Sequence, residues 1–160
     1  MDISNNAKKA RPSSTLSISS NANRMIDEGI DIVNFSAGEP DFNTPDYIKE
    51  AAIEAINDNF TKYTPYEGIV ELRQAVADDL KKNCDLDYTP EQIVISNGSK
   101  HAITNAFMAI LNPGDEVIVP APYWNSYIDI IELCYGVPVV VNTTKQNSFK
   151  VTVEQLEEAV

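Results

Sequence analysis

The chain has 160 residues, the size of one ordinary domain or of a piece of a larger protein. Hydrophobic residues make up 43% and charged residues 22%, a composition that excludes a chain disordered throughout. The formal net charge of −12 argues against nucleic acid or an anionic membrane as a partner, since both require clustered positive charge.

The first part of the chain predicts an arm followed by helices. Residues 1–23 are polar and rich in Ser and Asn, which indicates an arm that needs another surface to lie on. A short helix is predicted over about 20–28 and a strand over 30–35. Apolar residues at helical spacing then predict a helix starting at Thr44-Pro45, with Thr44 as its cap, and a second helix over 69–83.

The remainder alternates between short apolar strands and helices. Strands are predicted at 93–95, 116–119 and 137–141, and helices at 100–111 and 124–134. Thr89 with Gln92, and Thr152 with Gln155, have the form of capping boxes. This alternation is typical of a parallel sheet with right-handed crossovers. Three strands are too few for a complete sheet of this kind, so we expect a truncated chain with an open, apolar sheet edge.

Few residues are available for metal or disulfide chemistry. Cys84 and Cys134 have neither CxxC nor zinc-site spacing, and His101 is the only histidine, so no metal site is expected. The two cysteines are interpreted as reduced thiols. No apolar signal-peptide core and no transmembrane-length apolar run is found. We therefore expect a soluble, cytoplasmic α/β protein.

The turn at residues 96–101, SNGSKH, lies between a predicted strand and a helix. Ligands of open α/β sheets bind at the carboxyl ends of strands, and a helix N-terminus suits a phosphate group. Gly98 permits close backbone approach, Ser99 offers a hydroxyl, and Lys100 a full charge. The turn matches no standard phosphate fingerprint, so a plain turn is the alternative, and His101 is expected to be solvated or half-buried.

Two further loops hold candidate binding residues. Trp124 follows the next predicted strand, where its ring either stacks on a flat heteroaromatic ligand or packs against the sheet edge. Gly38, in a turn-rich loop, either presents its backbone N–H to a carboxylate or simply forms a tight turn.

Together these loops and their order carry a family resemblance. The chain from about residue 11 onward resembles the N-terminal portion of fold-type-I pyridoxal-phosphate (PLP) aminotransferases, specifically class I aspartate aminotransferases of the bacterial and archaeal branch. The matching stretches are SAGEPDF (36–42), KY (62–63), GIVELR (68–73), NGSK (97–100), PGDEV (113–117) and PYWNSY (122–127).

The resemblance implies roles for the residues of the cofactor site. Gly98, Ser99 and Lys100 match the loop that holds the phosphate of pyridoxal 5′-phosphate, and Trp124 matches the aromatic residue that stacks on its ring. Tyr63 matches a tyrosine that reaches the cofactor of the neighbouring subunit, which implies a homodimer.

The resemblance also implies substrate contacts. Gly38 matches the residue whose backbone meets the α-carboxylate, and Trp124 borders the substrate as well. Arg11 stands where related enzymes often have lysine near the distal carboxylate, so it keeps the charge and changes its shape. The implied reaction is amino transfer between an aspartate-like amino acid and a 2-oxo acid.

The implied fold is a partial three-layer α/β/α large domain with an incomplete, mostly parallel sheet, an N-terminal arm and a piece of the small domain. The arm and small-domain segment are expected at 1–44, and the truncated PLP-binding domain at 45–160. The family's Schiff-base lysine, pyridine-pairing aspartate and carboxylate-binding arginine all match positions beyond residue 160. Transamination needs that lysine, so these residues alone contain no catalytic residue and are expected to be inactive.

Three hypotheses about the function of the chain are open at this stage. The chain is either the N-terminal portion of an aminotransferase or a non-catalytic half-domain that acts as an interaction or complementation module through its arm and open sheet edge. The third alternative is an unrelated α/β domain that binds a phosphate compound or nucleotide, for which no fingerprint is present.

Overall fold

The computed structural model describes residues 2–9, 14–36 and 38–160. Its helices are α1 (Ser14–Asp27), α2 (Asp46–Asn57), α3 (Val70–Cys84), α4 (Gly98–Ile110), α5 (Ser126–Leu133) and α6 (Val153–Ala159), and its strands are β1 (Glu116–Ala121) and β2 (Val137–Asn142). Short 3₁₀ helices lie at Ala7–Lys9, Pro90–Gln92 and Lys145–Asn147. The chain divides into two compact units, Pro12–Tyr66 and Met1–Arg11 with Glu67–Val160.

The unit Pro12–Tyr66 contains α1 and α2. Helix α1 begins at Ser14, six residues before the start of the helix predicted over about 20–28. Serine and asparagine disfavour a helix only weakly, and Ala22 is buried on α1, where packing outweighs this preference. Helix α2 begins at Asp46 with Pro45, not Thr44, at the capping position, and it has no buried residue.

The segment 30–35 was predicted as a strand and belongs to no strand. Its residues are mostly apolar and β-branched, as in a strand, but a strand also needs a hydrogen-bonding partner, which the residue types do not specify. Val33 and Phe35 are 78% and 91% exposed, so this segment packs little of its apolar surface.

The core of the other unit is a β-α-β unit. Strands β1 and β2 pair in parallel register from Glu116 opposite Val137 to Ala121 opposite Asn142, and α5 is the crossover between them. Buried apolar side chains concentrate here: Val119, Ile130, Ile131, Cys134 and Val141. The predicted parallel α/β arrangement is therefore confirmed, as a two-stranded sheet within the described residues.

The predicted strand at 93–95 is also absent, although the segment is well anchored. The backbone N–H of Ile95 donates to the carbonyl of Glu67 at 2.8 Å. A Cβ atom on Gly68, whose φ is +102°, would lie 2.5 Å from Cγ1 of Ile95, so only glycine allows this close approach. One backbone bond to a loop is not a ladder, and this explains why the segment is extended without being a strand.

Both predicted capping boxes are confirmed. The side-chain oxygen of Gln92 accepts the backbone N–H of Thr89 at 2.9 Å, and that of Gln155 accepts the N–H of Thr152 at 3.1 Å. Gln155 also donates to the carbonyl of Asn142 at 2.7 Å, which attaches the start of α6 to the end of β2.

Cys84 and Cys134 are both free thiols, the first exposed and the second buried. Burial raises the pKa of the Cys134 thiol, so it remains protonated and behaves as a core side chain. Over the part of the chain that the structure describes, no helix is long and apolar enough to cross a membrane.

Candidate functional site

The turn before α4 leaves open space beside its glycine. Gly98 is the first residue of α4 and has a φ of +80°, a region that favours glycine. A Cβ built at this position meets no atom within 4 Å. The space beside the Gly98 backbone is therefore open.

Ser99 and Lys100 follow in the first turn of α4, and both are exposed. The first N–H groups of a helix have no partner in a preceding turn and carry a partial positive charge. The serine hydroxyl and the lysine ammonium add two further donors beside them. This set of donors is suited to a phosphate group.

His101 has a role that the sequence analysis missed. Its Nδ1 atom accepts the backbone N–H of Asn97 at 3.0 Å, so the imidazole holds the loop just before Gly98. Asn97 is the capping residue of α4 and makes no capping hydrogen bond with its own side chain. The only sequence evidence for this hydrogen bond is spacing: the histidine lies four residues after the capping residue, and residues four apart in a helix lie on the same face.

Trp124 lies in the loop between β1 and α5, after a cis peptide bond between Ala121 and Pro122. The hydroxyl and the N–H of Thr143 both donate to the carbonyl of Ala121, which fixes the end of β1. Tyr127 packs edge-on against the indole with ring centroids 5.5 Å apart and an interplanar angle of 86°. The Trp124 side chain remains 44% exposed, so it is available to a flat ligand.

The structure brings these two loops together. Nζ of Lys100 lies over the Trp124 ring, 5.1 Å from its centroid, a cation–π contact. A phosphate at the start of α4 and an aromatic ring on Trp124 would therefore be neighbours, as they are within one small phosphorylated heteroaromatic molecule. The donors and the aromatic face present fit such a molecule.

The remaining predicted site residues are Gly38, Tyr63 and Arg11. Gly38 and Tyr63 belong to the unit Pro12–Tyr66 and are both exposed, with Tyr63 in the loop before α3. A Cβ on Gly38 meets no atom within 4 Å. Arg11 lies outside the described residues. Among the residues the structure covers, no cluster of three or more His, Cys, Asp or Glu is placed to hold a metal ion.

Gly98→Ala is expected to weaken binding of inorganic phosphate, because a side chain at φ +80° costs roughly 1–2 kcal/mol and shifts the turn. Line broadening of the ³¹P resonance of phosphate measures the binding. Gly29→Ala is the matched control, since Gly29 has a φ of +78° and equally open surroundings. It should cost similar stability and leave phosphate binding unchanged. Equal phosphate binding by both variants would contradict a site at this turn.

Comparisons with known proteins identify the family of the chain. The family model described as aminotransferase class I and II matches residues 30–160. The chain is 48% identical over 152 residues to a probable aspartate/prephenate aminotransferase of Rhizobium leguminosarum bv. phaseoli, covering 95% of this chain and 38% of that protein. It is 44% identical to an aspartate aminotransferase of Bacillus sp. strain YM-2, with coverage of 99% and 40%.

The fold agrees as well. The aspartate aminotransferase from Thermus thermophilus with maleate superimposes with a TM-score of 0.95 at 40% identity, covering 100% of this chain and 42% of that one. The chain thus spans about 40% of the length of these relatives. Its fold is that of part of a fold-type-I enzyme. On the matched family model and these relatives, the chain belongs to the class I and II aminotransferases.

Proposed function

We propose that the chain is the N-terminal portion of an aminotransferase that uses pyridoxal 5′-phosphate to move an amino group between an aspartate-like amino acid and a 2-oxo acid. The observation that carries this proposal is the 5.1 Å contact between Lys100, at the phosphate-binding turn, and the exposed ring of Trp124. Family membership supports the same reaction, and it removes an unrelated nucleotide-binding domain from consideration.

In this proposal Gly98, Ser99 and Lys100 hold the cofactor phosphate and Trp124 orients the pyridine ring by stacking. When bound, pyridoxal phosphate would supply an electron-withdrawing ring and an aldehyde carbon that takes up the amino group from one substrate and gives it to the other. The N–H groups at the start of α4 and the Lys100 ammonium offset the phosphate charge. His101 keeps the loop in place through Asn97.

An aspartate-like substrate is proposed from the relatives. Several are aspartate or aspartate/prephenate aminotransferases, and the Thermus thermophilus structure is of the enzyme with maleate, a dicarboxylate. Gly38 is exposed with open space beside its backbone, which suits contact of its N–H with the α-carboxylate. Arg11 is proposed as the cation for the distal carboxylate, since its planar guanidinium matches a carboxylate.

The proposal that the protein is a homodimer is based on Tyr63. Its side chain is fully exposed in this chain, as a tyrosine that reaches into a neighbouring subunit's site should be before assembly. The same resemblance is the basis for two further proposals. The arm and small-domain segment occupy residues 1–44 and the PLP-binding domain residues 45–160, and the protein is cytoplasmic.

These 160 residues are proposed to be inactive by themselves. Lys100 stands at the start of α4 with its ammonium on Trp124, a position suited to a phosphate and not to the reacting carbon of a substrate. The lysine that family members use for that purpose matches a position beyond residue 160.

The test is a chimera in which residues 1–160 replace the matching 42% of the Thermus thermophilus aspartate aminotransferase. We expect the chimera to transfer the amino group of aspartate to a 2-oxo acid, followed as oxaloacetate formed. The 160-residue chain with pyridoxal phosphate should show only the rate of the free cofactor. A folded chimera that binds the cofactor and transfers no amino group would contradict the proposed function.

The second candidate is an interaction or complementation module, and it rests on the free side of β1. Within the described residues β1 pairs only with β2. An apolar groove of about 230 Å³ lies beside it, lined by Phe107, residues 117–120, Tyr127 and Ile131 among others. An exposed strand edge beside an apolar groove suits an added strand. Co-elution of this chain with residues of the Thermus enzyme beyond the matched part tests it, and Val117→Lys should abolish co-elution.

A further inference from the structure

The Lys100 ammonium lies on the surface that an aromatic ligand would need. It sits over the Trp124 ring at 5.1 Å from the centroid, while Tyr127 packs edge-on against the same indole. A flat ring can stack on the Lys100 side of the indole only after the ammonium has left it. Stacking therefore competes with a contact already present in the chain.

A phosphate changes the balance of this competition. A charge-assisted hydrogen bond between an ammonium and a phosphate is stronger than a cation–π contact at an exposed site. Lys100 is in the first turn of α4, beside the N–H groups and the Ser99 hydroxyl that would receive the phosphate. A phosphate bound there would draw the ammonium from the ring towards itself.

We propose that Lys100 selects phosphorylated over unphosphorylated pyridine ligands, because it covers the Trp124 face until a phosphate displaces it. The inference rests on the proposed function, since it concerns the same cofactor site. It assigns Lys100 two opposing effects: it strengthens binding of the phosphate ester, and it weakens binding of the same ring without phosphate.

The test compares pyridoxine with pyridoxine 5′-phosphate, neither of which has the aldehyde that reacts with surface lysines. Trp124 is the only tryptophan, so quenching of its fluorescence reports binding at this ring. In Lys100→Met the ester should bind about ten- to a hundredfold more weakly, since a hydrogen bond to a charged group is lost. Pyridoxine should bind about two- to fivefold more tightly, since the cation–π competitor is gone.

The control is Lys150→Met, which makes the same change of charge at an exposed lysine away from α4. It should leave both affinities unchanged. Inorganic phosphate alone should shift the Trp124 emission of the unsubstituted chain towards that of Lys100→Met, and should leave the emission of Lys100→Met unaltered. This readout requires no pyridine ligand.

The experiment separates failure of the proposed selection by Lys100 from failure of the proposed cofactor site. If the ester loses affinity in Lys100→Met and pyridoxine gains none, Lys100 is only a phosphate ligand and the selection is overturned while the cofactor site stands. An emission spectrum that phosphate does not change also overturns the selection. If the ester does not quench the unsubstituted chain at all, the cofactor site itself is overturned, and the selection with it.

Discussion

Arg73→Met is expected to lower the free energy of unfolding by about 2–5 kcal/mol. The guanidinium is buried, with Nε donating to the carbonyl of Gly68 at 3.1 Å and Nη1 to the carbonyl of Pro90 at 2.9 Å. Methionine fills similar space but donates to neither carbonyl. Both carbonyls then lose a charged donor. The carbonyl of Pro90 keeps the backbone N–H of Ile93 at 3.2 Å, so the loss there lies at the lower end of the about 1–3 kcal/mol that an unsatisfied group costs.

Urea denaturation followed by circular dichroism measures this change as a lower midpoint with an unchanged slope. Lys82→Met is the matched control, because Lys82 is exposed on the same helix, and it should stay within about 0.5 kcal/mol of the unsubstituted chain. Arg73→Lys should recover only part of the loss, since one ammonium does not reproduce the two-sided geometry of the guanidinium. Equal midpoints for the Arg73 and Lys82 variants would contradict this role.

Ile131→Ala is expected to cost about 2–5 kcal/mol of stability. The side chain is 1% exposed, and its backbone carbonyl accepts the N–H of Gly136 at 2.9 Å, where the chain turns into β2. A Cβ on Gly136 would lie 3.0 Å from Cγ2 of Ile131, so the packing is already close. Removing three carbons leaves a cavity that a turn this tight closes only in part.

The control for Ile131 is Ile110→Ala at the end of α4, where the isoleucine is 67% exposed. The same three carbons are removed, but from a side chain that is mostly in water, so the cost should be below about 1 kcal/mol. Thermal unfolding of both variants gives the comparison. A smaller loss for Ile131 than for Ile110 would mean that the β-α-β unit is not the core.

Periodicity predicted the elements whose signal is local. Helix α3 was expected over 69–83 and lies at Val70–Cys84, and β1 and β2 were expected within two residues of their observed ends. The two capping boxes were predicted because the motif consists of residues three apart in the chain. The segments 30–35 and 93–95 were predicted wrongly, because whether an apolar extended segment becomes a strand depends on a partner far along the chain.

The candidate site shows the same difference between what local sequence indicates and what depends on distant parts of the chain. The residue types at 98–100 and at 124 suggested a phosphate group and an aromatic stack but left a plain turn and ordinary packing open, and only the family resemblance implied the binding roles. The contact between Lys100 and Trp124 depends on how α4 packs against α5, the helix that follows the Trp124 loop, and no local pattern contains this packing. The bond from Asn97 to His101 was missed for a different reason, since sequence rules for helix starts consider serine, threonine, asparagine and aspartate as caps and not histidine.

The β-α-β arrangement has a consequence for how the polypeptide is made. Strands β1 and β2 and the crossover helix lie within the single stretch 116–142, so on the ribosome they can assemble once Asn142 has emerged. The side of β1 that pairs with no described residue is then presented to the cell, together with its apolar groove. Exposed strand edges of this kind recruit other chains and aggregate. We therefore expect a nascent polypeptide at that stage to need chaperones for as long as this edge is uncovered.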